Sequence, residues 1–159
     1  MKYFMDTEFI EDGKTIDLLS IGIVKEDGTT YYAESNECKL EFASDWVRKN
    51  VFPNLRPTCA RSRNTIKTDI LHLVKNDKDI EFWGYYSDYD WVVFCQLFGK
   101  MIDLPEGFPM FCLDLKQEMY QLNYKKEDLI ITTNNQEHNA LADAIEIKNL
   151  YFELQRLTK

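Results

Sequence analysis

Apolar residues bunch into short runs early in this chain and spread to helical intervals later, and the change of period divides it into elements. Residues 2–9 (KYFMDTEF) read as a strand. Residues 15–24 (TIDLLSIGIV) form a second run rich in β-branched residues, and residues 29–35 (TTYYAES) form its return partner. Asp27-Gly28 between these two runs is a two-residue hairpin signal. The chain is therefore expected to open with three antiparallel strands. Residues 44–52 (SDWVRKNVF) read as a helix capped by Ser44, and Pro53 and Pro57 punctuate a loop. In residues 63–76 (RNTIKTDILHLVKN), Ile66, Ile70, Leu71, Leu73 and Val74 fall near helical spacing.

Strand and helix then alternate. Residues 79–86 (DIEFWGYY) predict a strand and residues 87–99 (SDYDWVVFCQLFG) a helix closed by Gly99. Residues 108–115 (FPMFCLDL) predict a short strand and residues 115–122 (LKQEMYQL) a helix. Residues 138–157 predict a long last helix whose Leu141, Ala144, Ile145, Ile147, Leu150, Tyr151 and Leu154 make a broad buried face. The order β-β-β-α-α-β-α-β-α-α implies an α/β fold with a mixed sheet and helices on its faces. Ligands of such sheets sit beyond the strand ends, where loops and helix starts converge.

Composition narrows the class. With 159 residues, 45% hydrophobic and 14% aromatic, one globular domain over residues 1–159 is expected. Cys38, Cys59, Cys95 and Cys112 are scattered with no CxxC pair, so they read as reduced thiols rather than a disulfide framework or zinc site. No apolar run approaches a membrane span, and Met1 is followed by a strand and then charges rather than a signal peptide. A cytoplasmic protein is expected. The net charge of −8 argues against a large basic surface that coats nucleic acid. It leaves room for a nucleic-acid enzyme whose site is itself acidic, because bound cations reverse the local sign.

The acids supply the candidate chemistry. Asp6 and Glu8 end the first apolar run two residues apart, so they share one strand face. Two like charges there repel, and water or a hard cation must compensate. Asp90 begins a helix that directly follows a strand, where Ser87 and Asp90 also have the spacing of a capping box. Asn139 is a good N-cap for the last helix, with His138 just outside it and Asp143 in its first turn. Taken singly, each has an ordinary reading as a surface acid, a cap or a dipole partner. Together, Asp6, Glu8, Asp90 and Asp143 are four carboxylates delivered by one strand and two helix starts, with a histidine beside them. Such oxygen ligands suit two Mg²⁺ or Mn²⁺ ions, a pair that clamps a phosphodiester during hydrolysis. His138 is then the natural general base.

This pattern resembles the DEDDh 3′-5′ exonucleases, the RNase T-like branch of the ribonuclease H-like superfamily. Asp6-Thr7-Glu8 matches their D-x-E motif, Tyr89-Asp90 their second motif, and His138 to Asp143 (HNALAD) their H-x-x-x-x-D. The tyrosine that marks the sister DEDDy group is replaced here by Asn139. Tyr86 stands where many relatives carry asparagine, and Phe9 and Ile10 stand where many have small polar residues. Stretches similar to residues 87–99, 109–117 (PMFCLDLKQ) and 61–67 (RSRNTIK) occur in a compact bacterial and phage branch of exoribonucleases.

The resemblance implies a ribonuclease H-like mixed sheet, a two-metal site and a single-stranded 3′ end as substrate, with RNA ahead of DNA and release of nucleoside 5′-monophosphates. It assigns both metals to Asp6, the nucleophile-side metal to Asp143 with Glu8 close by, and the second ion to Asp90, directly or through water. Substrate contacts follow from the same likeness: Glu8 and His138 at the terminal nucleotide, the N–H and hydroxyl of Thr7 on its ribose, and Phe9 against its base. Tyr86 faces the groove in this reading, and Arg63, in a basic cluster with Arg61 and Lys67, takes a phosphate. For Phe9 and Tyr86 core packing is the competing reading, and for Arg63 a solvated helix face. Asp114, Lys116 and Gln117 belong to a family-like stretch without an assigned role. A homodimer is compatible with the aromatic content. A DNA or short-oligonucleotide exonuclease, a non-catalytic nucleotide-binding module and, most remotely, a sugar hydrolase remain as alternatives.

Overall fold

The computed structural model describes residues 1–131 and 138–159. Six strands form one sheet in the order β4-β3-β2-β1-β5-β6: β1 Lys2–Glu11, β2 Ile16–Lys25, β3 Thr30–Ser35, β4 Ala60–Arg61, β5 Glu81–Gly84 and β6 Leu113–Asp114. The helices among the described residues are α1 Asp45–Asn50, α2 Arg63–Val74, α3 Asp88–Gln96, α4 Leu115–Gln121 and α5 Ala140–Leu157. β1, β2 and β3 pair antiparallel, whereas β5 joins β1, β6 joins β5 and β4 joins β3 in parallel. This is the expected mixed α/β sheet flanked by helices, consistent with a ribonuclease H-like fold.

Alternation along β1 builds a core on each face of the sheet. Tyr3 and Met5 point to one face, where Ile66, Ile70, Phe82, Trp91 and Phe94 pack on them from α2, β5 and α3. Phe4 points to the other, against Trp83, Leu115, Met119, Ile147, Leu150 and Tyr151. A strand lined on both faces by helices reads as a continuous apolar run, and the front half of β1 does.

Several expectations change in detail. The turn at Asp27-Gly28 is a three-residue loop rather than a two-residue one. Lys25 N–H donates to the Thr29 carbonyl (2.8 Å), Gly28 N–H donates back to the Lys25 carbonyl (3.0 Å), and Gly28 has φ +95°. That is a type I turn completed by a left-handed residue, which glycine supplies without strain. The strand expected over residues 108–115 shrinks to Leu113–Asp114, because Pro109 has no N–H to give a ladder. The loop around Pro53 and Pro57 holds 3₁₀ turns and the short strand β4, which the sequence pattern did not predict. Ser44 and Asn139 cap α1 and α5 as expected, accepting from the N–H of Val47 and Ala142.

Candidate active site

Asp6 and Glu8 continue the Phe4 face of β1, the face that α5 covers. Both are half-buried, although Thr7 between them and Ile10 beyond them are buried. Asp143, in the first turn of α5, completes the group: one carboxylate oxygen from each of Asp6, Glu8 and Asp143 lies within 4.8 Å of the others. Glycine makes this approach possible. Gly22 pairs with Asp6 across β1 and β2, and a Cβ on it would stand 2.3 Å from the carbonyl carbon and oxygen of Ala140. Only a residue without a side chain lets the start of α5 lie that close to the sheet. Gly22 is not among the site residues expected from the sequence, although an isolated glycine inside a strand run is a signal for close backbone approach.

Asp90 arrives from the opposite face. Thr7 shares the face of Tyr3 and Met5, against which α3 packs, and Asp90 sits buried on it. The Thr7 N–H (2.9 Å) and Thr7 hydroxyl (2.5 Å) both donate to Asp90 Oδ1. This geometry corrects one expectation, the capping box, and gives Thr7 a partner. Ser87 makes no side-chain cap on α3, so the Ser87–Asp90 capping box is not formed, and Asp90 bonds to β1 instead. Thr7, itself buried, directs both its N–H and its hydroxyl at Asp90. The Ser87 N–H (2.7 Å) and hydroxyl (3.3 Å) donate to Asp114 Oδ2, while Asp114 Oδ1 caps α4 through the Gln117 N–H (2.9 Å). Asp114 therefore ties the start of α3 to the start of α4.

The charges are frustrated. Burial foremost, then the carboxylates of Asp90, Asp143 and Glu8, push the Asp6 carboxyl well above the usual carboxylate range. Burial, with Asp143 and Asp90, raises Glu8 to about 8. Burial raises Asp90 to about 6 against the downward pull of Thr7. Asp143 is raised to about 6, by burial and by Glu146, against the opposing pull of His138 and of backbone N–H groups. Such a set of clustered oxygens, short of positive charge, fits a hard divalent cation held by carboxylates.

His138 stands at the entrance to α5 with φ +63°. Its ring meets Trp46 of α1 edge-on, with centroids 4.8 Å apart. Asn54 Nδ2 donates to the His138 carbonyl (3.3 Å), and Asn139 Nδ2 donates to the Asn54 carbonyl (3.2 Å). The segment from Trp46 to Asn54 thus clamps the histidine from outside the sheet. No sequence signal marked Trp46 or Asn54, because the contacts join residues over 80 positions apart.

The expected substrate residues separate into two groups. Phe9 is half-buried and meets the Tyr89 ring edge-on (5.8 Å), beside the acids. Tyr86 is 67% exposed in the turn between β5 and α3, four residues before Asp90. Arg63 lies elsewhere, paired with Asp17 and Glu37 on the wall of a cavity of about 500 Å³ that Ile10, Ile16, Lys39 and Phe42 also line. The rest of its basic cluster is similarly engaged. Arg61 donates to the carbonyls of Thr58 and Ala60, and Lys67 lies over the Phe98 ring. The four cysteines are free. No helix among the described residues is long and apolar enough to cross a membrane.

A mixed sheet with converging acids at the end of its central strand defines an α/β domain built to gather carboxylates where strand, loop and helix start meet. The chain belongs to the 3′-5′ exoribonuclease Rv2179c-like domain family, whose model matches residues 1–154. It is 48% identical over 122 residues to the 3′-5′ exoribonuclease Rv2179c of Mycobacterium tuberculosis strain ATCC 25618 / H37Rv, a match covering 74% of this chain and 73% of that protein. The same figures hold for the 3′-5′ exoribonuclease MT2234.1 of strain CDC 1551 / Oshkosh.

Proposed function

We propose that this protein is a 3′-5′ exoribonuclease of the DEDDh type, which hydrolyses the last phosphodiester of single-stranded RNA and releases a nucleoside 5′-monophosphate. The observation that carries the reading is the convergence of Asp6, Glu8 and Asp143 within 4.8 Å, in a chain of an exoribonuclease family. Asp6, Glu8, Asp143 and Asp90 would hold two divalent cations, Mg²⁺ or Mn²⁺. These would supply activation of the attacking water and charge stabilisation at the leaving oxygen. Asp6, which feels the charges of the other three acids, would be shared by both ions. Asp90 is oriented by Thr7, which fixes one carboxylate oxygen and leaves the group facing Asp6.

His138 takes the proton of the attacking water. Its position beside Asp143 and its ring contact with Trp46 support that role, because a base must be held within hydrogen-bond reach of its proton. The deciding experiment is a time course on 5′-labelled single-stranded RNA and the matching DNA, with Mg²⁺, Mn²⁺ or chelator, beside an Asp6→Ala control. A metal-dependent ladder shortening from the RNA 3′ end, absent in the variant, is expected. Turnover that survives chelator or Asp6→Ala would refute the metal site, and faster DNA cleavage would reassign the substrate.

A further inference from the structure

Tyr86 pays for an unusual backbone. It has φ +59°, a left-handed conformation that is strained for a non-glycine residue and persists only where its surroundings impose it. The surroundings do impose it. Asp114 holds the next residue, Ser87, through both its N–H and its hydroxyl. Burial does not account for the conformation, since the ring is 67% exposed; among the described residues its ring contacts are with the Tyr85 ring (5.0 Å, edge-on) and the Lys116 ammonium (6.0 Å). Tyr85 in turn carries Lys126 over its face (5.9 Å). Lys126 is ion-paired with Glu146, but Lys116 makes no ion pair among the described residues. An exposed ring and an unpaired cation thus sit together at the end of β5, beside β1, in a chain of net charge −8.

We infer that Tyr86 and Lys116 form a stacking and phosphate-binding platform for the single-stranded RNA upstream of the cleaved bond. The inference rests on the exoribonuclease reading for its choice of polymer. Two divalent cations would only balance the four carboxylates, so a polyanionic strand gains from a cation outside the acid cluster to hold it there. A tyrosine face accepts any base, which suits an enzyme that must move along a sequence one nucleotide at a time. The platform also explains the stretch Leu113–Gln117. Asp114 braces the turn that presents Tyr86, and α4 presents Lys116 over its ring. The turn is locked to α3, whose Asp90 bonds to Thr7, so the platform and the acids are parts of one rigid assembly.

The test measures fluorescence anisotropy of a labelled oligoribonucleotide in Mg²⁺, its 3′-terminal linkage a phosphorothioate to slow hydrolysis. Tyr86→Gly keeps the left-handed turn and removes the ring. Its Tm is expected at or above the parent's, while RNA affinity falls about 5- to 150-fold, the range of one lost base–aromatic stack. Lys116→Gln is expected to weaken binding and to reduce the slope of log K against log salt by about 0.7, one phosphate contact on a single strand. Lys78→Gln, the same charge change at the opposite sheet end, should leave affinity as it is. Parental affinity in Tyr86→Gly, or a matching loss in Lys78→Gln, would overturn the platform. So would a Tyr86→Gly protein that is destabilised, since the ring would then be packing. If the parent binds RNA through Tyr86 and Lys116 but cleaves nothing under any metal, the platform stands and the nuclease reading falls.

Discussion

At the residue scale the site is a balance between repulsion and enclosure. Asp6 lies among three other carboxylates, and its charge is unfavourable until a cation is present. Asp6→Ala and Asp143→Ala are each expected to abolish RNA hydrolysis while far-UV circular dichroism stays native. Asp6→Asn should raise the Tm of the metal-free protein at pH 8, because it removes a repelled charge and keeps the shape. His138→Ala should lower kcat about 10²- to 10⁴-fold, the range of general-base catalysis, with a smaller change in RNA affinity. Trp46 touches the His138 ring and acts through it. Trp46→Ala is therefore expected to reduce kcat by up to about 10²-fold through misplacement of the base. A double-mutant cycle checks this: Trp46→Ala should lower kcat in the parent with little change in KM, and should cost nothing further in His138→Ala.

At the scale of elements, the crossing of α5 over β2 decides whether Asp143 reaches Asp6. Gly22→Ala would place a methyl group against the backbone of Ala140 and Leu141. Backbone cannot rotate away as a side chain can, so the helix start must lift. A loss of about 1–3 kcal/mol is expected in urea denaturation, as for other overpacked sites. The loss of activity should be disproportionately large, since the displaced turn carries Asp143. Leu150→Ala, in the core beneath the middle of the same helix, should cost about 2–5 kcal/mol but spare kcat at temperatures where the protein stays folded. The contrast between the two variants separates anchoring of α5 from its alignment.

At the scale of the whole molecule, the acid cluster couples stability to pH and, on the proposed metal site, to divalent cations. An unfolded carboxyl titrates near pH 4, whereas the folded Glu8 titrates at about 8 and Asp90 and Asp143 at about 6. The folded chain therefore binds more protons than the unfolded chain between those values, and stability must fall as pH rises. The contribution of the site is fully present below about pH 4 and is lost progressively up to about pH 8. Thermal unfolding of metal-free protein should show a declining Tm across this window, with a flatter profile in Asp6→Asn. Saturating Mg²⁺ should raise Tm at pH 8 and much less at pH 5, where protons already neutralise the cluster. A Tm that rises with pH through this window, without metal, would refute the shared burial of these acids.

Local pattern carried much of this protein. Period-two and period-3.6 spacing located the long strands and the helices, because burial of one face imposes those periods on any chain. The pairing of Asp6 with Glu8 on one face, and the caps at Ser44 and Asn139, follow from neighbours a few residues apart. What the tertiary structure decided lies in contacts between distant segments. It turned Asp90 from a helix cap into the partner of Thr7, committed Arg63 to Asp17, and clamped His138 with Trp46 and Asn54. It also gave Gly22 and Asp114 their purposes, one as a gap for a crossing helix and the other as a brace between two helix starts. Side-chain hydrogen bonds and ring contacts form between whichever groups the assembled sheet brings together, and that proximity has no period along the chain.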